Sequence, residues 1–420
     1  MIDINFHKKD LDSLQNKLSL KGSDINLQEL MLSIEQKNSL QVDLDDLKNK
    51  KNLISKEIGI LAKKDEDISD LKKQSEEISN SITTIQNEYD DLNTQINAVL
   101  LNIPNIPDDD VPQGDDESAN LEINKNIFKQ NNDGLDHTEI GQRLGLLDFE
   151  AANKLTGSRF VVLKGKLAEL QRALITFMLN EAKNNGFEEV YVPYIVNAES
   201  LIGTGQLPKF EEDQFKINAD RYLIPTAEVP LTNLYRNEVL DESNLPIKVT
   251  AHTPCFRAEA GSYGKDTKGM IRQHQFEKVE IVMVVEPKDS DKALNELVKY
   301  ATTILDKLEI SYRNVVLCTG DLGFSAAKTV DIEVWLPSQN CFREISSCSN
   351  FRDFQSRRMN FKIKSEKNKY FPHTLNGSAL AVGRTLLAIL ENNYENGVGV
   401  HIPKVLRDYL DFDLIEEKNK

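Results

Sequence analysis

A heptad repeat near the N-terminus constrains the fold of this chain more than any other feature. Apolar side chains recur every seven positions in two sets, and the stretch up to Leu101 contains neither proline nor arginine. Such spacing places one apolar stripe on each of two helices, predicted at about residues 28–63 and 67–102. The clearer sets are Leu71, Ile78, Ile85, Leu92 and Val99, with Ile68, Ile82, Tyr89 and Ile96.

The polar cluster Lys63–Asp67 separates the two predicted helices. A connection this short favours an antiparallel hairpin. Because long helices of this kind leave most of their polar surface in water, we expect the hairpin to project as an arm. Lysines concentrate toward its tip, where acidic residues dilute them. The periodicity alone leaves two interpretations open, a coiled coil for dimerisation and an arm that binds a partner.

A segment rich in proline and aspartate follows the arm and marks a domain boundary. Pro104, Pro107 and Pro112 end the second helix, so we predict an arm-containing domain at residues 1–110 and a larger domain at 111–420. Alternation with period two, with few long helical patterns in between, predicts an α+β fold with a mostly antiparallel sheet flanked by helices. The predicted strands are 249–258, 275–285, 331–336 and 341–348, with a strand-like run at 190–194, and the predicted helices are 165–185 and one beginning near Ser378.

Composition excludes several classes of protein. The net charge is −16 and hydrophobic residues make up 40% of the chain, which excludes a wholly disordered polypeptide. No apolar run approaches the roughly 18 residues of a membrane-spanning helix, and the N-terminus lacks the apolar core of a signal peptide. We therefore expect a cytoplasmic protein with no membrane partner.

Motifs narrow the function further. The four cysteines are scattered without a CxxC pair, so no zinc site is expected. The sequence contains no P-loop and no GxGxxG, so neither a Walker-type ATPase nor a Rossmann dehydrogenase is indicated. Because phosphate repels a chain this acidic, a nucleic acid would have to bind through local basic surface.

Two of the predicted strands form a long hairpin around a glycine-containing loop at residues 261–264. Alternation places Arg257 and Glu259 on one face of the first strand, and Phe276 and Glu280 on one face of the second. Charged groups beside an aromatic ring are unsuited to a core. They are suited to a nucleotide, because Phe276 can stack on a base and Arg257 can neutralise a phosphate.

Another strand carries Glu344 and Ser347, whose oxygens suit Mg²⁺. The two residues differ in strand parity, so both can face one ion only if a β-bulge or a strand end lies between them.

Two further segments carry candidate site residues. Thr226 and Glu228 lie between two prolines that fix a short turn, which can present a hydroxyl and a carbonyl to a small ligand. Gly383 and Arg384 lie inside the last predicted helix, where a glycine costs about 1 kcal/mol relative to alanine. We therefore expect close packing or the approach of a ligand at Gly383.

Together these segments resemble a known family. FRAEAG at 256–261 with RQHQFEKVE at 272–280 resembles motif 2 of the class II aminoacyl-tRNA synthetases, and NGSALAVGRTLLAILEN at 376–392 resembles their motif 3. With PTAEVPLTN, GTGQLPKF and REISSCSNFRDFQ, the pattern closely resembles the bacterial-type seryl-tRNA synthetases over nearly the whole chain, since that family also carries an N-terminal coiled-coil arm. The zinc-dependent archaeal form is not indicated, because its ligand cysteines are absent.

The resemblance implies an ATP-dependent serine–tRNA ligase that forms seryl-adenylate, uses Mg²⁺ and acts as a homodimer. It favours tRNA(Ser) as the partner of the arm and leaves tRNA(Sec) open as a second acceptor. The implied catalytic residues are Arg257, Glu344 and Arg384, and the implied Mg²⁺ ligands are Glu344 and Ser347. The implied serine site is Thr226, Ala227, Glu228, Arg257, Glu280 and Ser378. The implied ATP site is Arg257, Ala258, Glu259, Phe276, Glu344, Ile345, Ser346, Ser347 and Arg384, with Phe276 and Arg384 on either side of the adenine and Glu259 in contact with it.

Two other interpretations remain open. One is a related enzyme that activates an amino acid and passes it to an acceptor other than tRNA, although such relatives tend to lack the arm. The other is a non-enzymatic binding protein on a degenerate fold, which the presence of Arg257, Glu344 and Arg384 disfavours.

Overall fold

The computed structural model describes residues 1–4, 6–128, 134–260 and 269–418. The chain falls into two compact units. The helical unit is formed by Asp3–Ser19 and Ser23–Ile103, and the sheet-containing unit by Pro104–Lys420 with Met1–Ile2 and Leu20–Gly22. The glycine-containing loop predicted at residues 261–264 lies outside the described residues.

The helical unit is built around two long antiparallel helices. Its helices are α1 (Leu11–Ser19), α2 (Leu27–Ala62) and α3 (Ser69–Leu101). The side chain of Asn26 caps α2 by accepting hydrogen bonds from backbone N–H groups of its first turn. Lys37 Nζ lies 3.4 Å from Asn93 Oδ1, and Lys48 Nζ lies 3.5 Å from Gln86 Oε1. Because one residue number rises as the other falls, the two helices run antiparallel.

The heptad positions supply the contact between α2 and α3. Leu30, Leu44 and Ile96 are buried along the seam, as an apolar stripe on each helix requires. Val99 departs from the prediction and is 38% exposed. The buried apolar positions at this end of α3 are instead Ile96 and Ile103.

A large sheet organises the other unit. Among the described residues it contains eight strands, which pair antiparallel except for one parallel pair at an edge, so the predicted α+β fold with a mostly antiparallel sheet is confirmed. In spatial order the strands are β1 (Leu121–Asn126), β10 (Tyr312–Val316), β11 (Lys328–Leu336), β12 (Cys341–Asn350), β15 (His373–Ala381), β9 (Gln275–Val285), β8 (Ile247–Phe256) and β4 (Glu188–Glu189).

Helices and short strands surround this sheet. The helices are α4 (His137–Leu144), α5 (Phe149–Leu155), α6 (Gly165–Asn184), α7 (Ala198–Thr204), α8 (Glu228–Asn233), α9 (Ser290–Leu308), α10 (Phe354–Arg358) and α11 (Val382–Asn393). The short strands are β2 (Leu147–Asp148), β3 (Val162–Leu163), β5 (Ile195–Asn197), β6 (Arg221–Leu223), β7 (Val239–Asp241), β13 (Lys362–Lys364), β14 (Lys369–Tyr370), β16 (Tyr394–Glu395), β17 (Gly399–His401) and β18 (Leu414–Glu416). None of the helices in the described part of the chain has the length and apolar character needed to cross a bilayer.

The main hydrophobic core lies between one face of the sheet and the helices α6, α9 and α11. Strand β9 shows how the sequence separates this core from the other face. Val279, Ile281 and Met283 point into the core. Because side chains alternate along a strand, Phe276 and Glu280 point to the opposite face. That face carries the candidate site.

Two predictions of secondary structure are wrong. Ser378 belongs to β15 and pairs with Glu280 of β9, so the last helix begins four residues later, at Val382. The pairing with a central strand overrides the helix propensity of the small and aliphatic residues that follow Ser378. The strand-like run at 190–194 is also outside the strands. Strand β4 ends at Glu189, and the N–H of Val190 makes one further bond to the sheet.

Candidate active site

A cavity of about 320 Å³ opens on the face of the sheet opposite the main core. Strands β9, β12 and β15 and the first turn of α11 contribute side chains to its wall. Residues that the sequence analysis drew from separate segments therefore meet in one place. The predicted site residues that line the cavity are Thr226, Glu228, Arg257, Glu259, Phe276, Glu280, Glu344, Ile345, Ser347, Ser378 and Arg384.

Ala227, Ala258 and Ser346 were also predicted as site residues, but they do not line the cavity. Ala227 is fully buried in an apolar cluster. Ser346 donates its hydroxyl to the carbonyl of Ser378 at 2.6 Å, and the N–H of Ala258 donates to the carbonyl of Asp213 at 2.9 Å. In this structure these residues hold the wall of the cavity in place.

Arg257 and Phe276 lie side by side at the end of the β8–β9 hairpin. The guanidinium carbon of Arg257 lies 5.2 Å from the centroid of the Phe276 ring, and its Nε–H donates to the carbonyl of Pro225 at 3.3 Å. A cation over an aromatic face is attracted by the ring quadrupole. Both side chains line the cavity, but β8 ends at Phe256, so Arg257 and Glu259 lie just beyond the strand on which they were predicted.

Arg384, on α11, makes hydrogen bonds to two other parts of the cavity wall. Its Nε–H donates to the carbonyl of Ile271 at 3.1 Å, and its Nη1 donates to the carbonyl of Glu344 at 2.7 Å. The same Nη1 lies 3.2 Å from Glu344 Oε2. Enclosure in the cavity favours the neutral acid, but the guanidiniums of Arg384 and Arg257 outweigh it and lower the pKa of Glu344. Glu344 is therefore ionised at neutral pH.

A bulge in β12 resolves the parity conflict between Glu344 and Ser347. Where β12 pairs with β11, the register advances by one residue on β11 and by two on β12, from Ser346 to Glu344. Ile345 is the extra residue, and it reverses the alternation of the residues before it. Glu344 and Ser347 consequently both line the cavity.

Asp331 places a second carboxylate beside this pair. It lies on β11 opposite Ser347, and its Oδ1 is buried without a hydrogen-bond partner among the described residues. Burial, and then the charge of Glu344, raise the pKa of Asp331 well above its ordinary value. A divalent cation would offset the repulsion between the two carboxylates and favour the ionised form of Asp331, so these oxygens fit Mg²⁺.

A buried ion pair lines the cavity beside Thr226. Lys278 and Glu280, on the same face of β9, form an ion pair in which both side chains are almost completely buried. Thr226 Oγ1 donates to Glu280 Oε2 at 3.0 Å, and Lys278 Nζ lies 2.8 Å from the same hydroxyl oxygen. These polar atoms can recognise a small hydroxylated ligand.

Glu228 lies beside this group at the start of α8. Burial first, and Glu280 second, raise the pKa of Glu228 to about 7. Gln355 Nε2 donates to Glu228 Oε1 at 2.6 Å, and Thr374 Oγ1 donates to Gln355 Oε1 at 2.7 Å. This chain of hydrogen bonds fixes the orientation of the Glu228 carboxyl group.

The carboxylate of Glu259 forms an ion pair at the wall of the cavity. Arg272 Nη1 donates to Glu259 Oε2 at 2.7 Å. Both residues line the cavity, so Glu259 meets a ligand there together with the guanidinium of Arg272.

Of the two explanations expected for Gly383, close packing is wrong, and the approach of a ligand stays a prediction at a residue that lines the cavity. A Cβ atom at this position would lie 3.7 Å from Met270 Cε and 3.8 Å from Gln273 Oε1, which are ordinary contacts. Gly383 is the second residue of α11 and not an interior one, because β15 takes up the residues before it.

Four residues that contribute to the site were not predicted from the sequence. Lys278 could have been found, because it shares strand parity with Phe276 and Glu280. Asp331 and Arg272 lie in the segments that were singled out, but no pattern distinguished them from surface charges. Gln355 had no signal in the sequence, because its contact with Glu228 joins α8 to α10.

Each of the two units contains a match to a known protein family. Residues 209–393 match the family described as tRNA synthetase class II core domain (G, H, P, S and T). Residues 1–107 match the family described as Seryl-tRNA synthetase N-terminal domain.

Individual relatives are similar to this chain over nearly its whole length. The chain is 51% identical to the serine–tRNA ligase of Psychrobacter cryohalolentis, with 98% of both chains covered. It is similar to the seryl-tRNA synthetase of Pyrococcus horikoshii solved with ATP, with a TM-score of 0.91 and 35% identity over 100% of both chains. The serine–tRNA ligase of Naegleria fowleri solved with AMP has a TM-score of 0.86 and 29% identity, over 100% of this chain and 99% of that one. With its core fold, its helical unit and its full-length relatives in agreement, the chain belongs to the seryl-tRNA synthetase family, the class II ATP-dependent serine–tRNA ligases.

Proposed function

We propose that this chain activates L-serine with ATP in the cavity above β9 and transfers the seryl group to the 3′ end of tRNA(Ser). One observation carries the proposal: two sets of side chains, each suited to a different ligand, line a single cavity. Arg257, Phe276 and Arg384 suit a nucleotide, whereas Thr226 and Glu280 suit a small hydroxylated ligand.

We assign the nucleotide to the first group. Phe276 and Arg384 line the cavity and would hold the adenine ring between them. Arg257 would bridge the α-phosphate and the carboxylate of serine, because its planar guanidinium can hold two oxygen groups at once. Glu259, together with Arg272, would contact the adenine end of ATP.

We assign serine to the second group. The substrate hydroxyl would bond within the cluster of Thr226, Lys278 and Glu280, and the substrate ammonium would face the carboxylate of Glu228. Ser378, which lines the same part of the wall on β15, would complete the pocket. Alanine lacks the hydroxyl and would leave these buried polar atoms without a partner, which disfavours its binding.

Activation needs no general base in this arrangement. The carboxylate of serine attacks the α-phosphorus directly and pyrophosphate leaves, so the residues have to position the two reactants and neutralise negative charge. Arg257 and Arg384 provide positive charge at the nucleotide, and Glu344 keeps Arg384 in place through two contacts.

Glu344 and Ser347 would hold Mg²⁺, with Asp331 as a neighbouring carboxylate. Mg²⁺ is usually bound by one or two carboxylates plus substrate phosphates. When bound, the ion would neutralise charge on the phosphates.

The helical unit would bind the tRNA. Its lysines Lys48, Lys50, Lys63, Lys64, Lys72 and Lys73 are exposed in the half of the unit nearest the α2–α3 connection. Exposed lysines on an otherwise acidic chain can contact the phosphate backbone, which suits recognition of tRNA by shape. We propose tRNA(Ser) as the acceptor and tRNA(Sec) as a second acceptor wherever the host makes one.

We further propose a cytoplasmic homodimer. Tyr191 is 84% exposed beside Tyr194, in the run at residues 190–194. An aromatic side chain this exposed favours a protein interface. Light scattering of the purified chain tests the dimer directly.

The proposed function is tested by two assays on the same preparation. Serine-dependent exchange of pyrophosphate into ATP measures activation, and the charging of tRNA(Ser) measures transfer. We expect both activities. Exchange without charging would instead identify an enzyme with a different acceptor, and absence of exchange would contradict the proposal.

A further inference from the structure

A buried histidine–carboxylate pair lies outside the residues assigned so far. His137, the first residue of α4, and Glu391, near the end of α11, are each almost completely inaccessible to solvent. His137 Nδ1 lies 2.8 Å from Glu391 Oε1, and the backbone N–H of His137 donates to the same oxygen at 3.1 Å. The other carboxylate oxygen accepts the hydroxyl of Ser338 at 2.7 Å.

These contacts determine the tautomer of His137. A carboxylate oxygen only accepts, so Nδ1 must carry the proton that it donates to Glu391. The other ring nitrogen is then free to accept, and it does so: the backbone N–H of Met270 donates to His137 Nε2 at 3.0 Å. A carboxylate that orients an imidazole in this way fixes which nitrogen is the acceptor.

The ring is also fitted sterically to the chain beside Met270. Gly269 has φ +76°, and a Cβ atom at this position would lie 2.1 Å from His137 Nε2. Any other residue at Gly269 would therefore displace the imidazole from the N–H that it accepts.

Met270 begins a segment, Met270–Gln273, in which every residue lines the cavity. Arg384 Nε–H donates to the carbonyl of Ile271, so His137 and Arg384 hold neighbouring backbone groups of this segment. The next residue, Arg272, pairs with Glu259 across the cavity wall. A shift of Met270 would thus move the carbonyl that orients Arg384 and the guanidinium that pairs with Glu259.

We propose that His137 is a positioning residue for ATP: held by Glu391, it fixes the Met270–Gln273 segment and, through it, Arg384 and Arg272. The inference rests on the proposed function, because it concerns the nucleotide half of the same cavity. His137 itself does not line the cavity and takes no part in the chemistry.

Two substitutions separate positioning from simple stabilisation. In His137→Asn the short amide can still donate to Glu391 from near the Nδ1 position, but it has no atom near Nε2. In His137→Gln the longer side chain can bring an oxygen to the Nε2 position and accept the Met270 N–H. Ser338→Ala is the matched control, because it removes a hydrogen bond to the same carboxylate without touching Met270.

The measurements are thermal unfolding and serine-dependent pyrophosphate exchange, with KM determined separately for ATP and for serine. We expect His137→Asn to raise the KM for ATP roughly tenfold, as for the loss of a buried hydrogen bond, with the KM for serine within about twofold. His137→Gln should recover most of the loss. Ser338→Ala should lower the unfolding temperature and leave both KM values unchanged.

An unchanged KM for ATP in a folded His137→Asn protein would overturn the inference and leave the pair a purely structural one. If that variant does not fold, Gly269→Ala gives the same test, because it displaces an intact ring, and an unchanged KM for ATP there would overturn the inference equally. Wild-type protein without serine-dependent exchange would contradict the proposed function instead, so the two failures are distinguishable.

Discussion

Glu228 is the residue whose ionisation bears most directly on the serine pocket. Its pKa of about 7 arises from burial first and from Glu280 second, so its charge changes within the working range of most enzymes. The folded protein holds this proton more tightly than the unfolded chain does. Stability is therefore lost as the pH rises from the unfolded pKa toward 7.

Glu228→Gln should consequently raise the unfolding temperature at pH 8, because the neutral amide avoids the cost of a buried charge. The pKa shift corresponds to roughly 3 kcal/mol as an upper estimate. The gain should shrink as the pH falls toward 4.5, where the folded carboxyl is protonated and little of the cost of ionising it remains. Thermal unfolding of both proteins at the two pH values measures this, and equal midpoints at pH 8 would show that the charge is already compensated.

The same ionisation should control the binding of serine. Protonation of Glu228 removes the charge proposed to face the substrate ammonium, so the KM for serine should rise as the pH falls below 7. Pyrophosphate exchange between pH 6 and 8 gives the KM for serine and, as an internal control, the KM for ATP. In Glu228→Gln the KM for serine should be high and independent of pH. A pH-dependent KM in that variant would assign the titration to another group.

Glu280 can be tested against its partner Lys278. Glu280→Ala removes an acceptor from the proposed serine site, so we expect the KM for serine to rise tenfold or more with little change in the KM for ATP. Lys278→Met leaves a buried carboxylate unpaired, and it should destabilise the fold by about 3–5 kcal/mol. Kinetics and denaturant unfolding separate the two effects. An unchanged KM for serine in Glu280→Ala would remove Glu280 from the pocket.

At the scale of elements, period-two alternation predicted more of the site than any propensity did. It placed Phe276 and Glu280 on one face of β9, because a half-buried strand must separate its polar and apolar side chains. It also showed that Glu344 and Ser347 needed an interruption between them, which the bulge at Ile345 provides. Alternation carries no information about which distant elements pair or pack with each other.

Two of the errors at the element scale have that one cause. Ser378 was assigned to a helix because its neighbours are good helix formers, but its backbone pairs with β9. Gln355 was missed because its contact with Glu228 exists only when α10 packs near α8. In both cases a tertiary contact decides, and a local pattern carries no information about it.

The bulge in β12 offers a test at this scale. Inserting one alanine between Ile332 and Glu333 of β11 gives Ile345 a partner and removes the bulge, so Glu344 should turn away from the cavity while Ser347 keeps its place. Deleting Ile345 is the matched control, because it also removes the bulge but leaves Glu344 two positions from Ser347, on the same face of the strand. We expect the insertion to lower serine-dependent exchange by at least about a hundredfold, and the deletion variant to remain within about tenfold of wild type. Equal activities in two folded variants would show that the bulge does not place Glu344.

At the scale of the whole molecule, the chain divides its chemistry between its two units. The cavity residues all belong to the sheet-containing unit, whereas the exposed lysines proposed for tRNA belong to the helical unit. Activation of serine involves only small molecules, so it should depend on the sheet-containing unit alone. Charging requires the macromolecular acceptor and should depend on both.

The register of α2 and α3 shows how the helical unit can be shortened while the buried contacts away from the α2–α3 connection are kept. Lys48 contacts Gln86, so replacing residues 48–84 by a short glycine-containing turn removes the outer part of the hairpin. It leaves the buried Leu44 and Ile96 in place. We expect the kcat/KM for charging tRNA(Ser) to fall at least about a hundredfold, with serine-dependent exchange within about twofold of wild type. Because the exchange assay needs no tRNA, it also reports whether the shortened protein is folded. Efficient charging by a protein that exchanges normally would show that the outer hairpin serves another purpose, such as the dimerisation that its heptads equally allow.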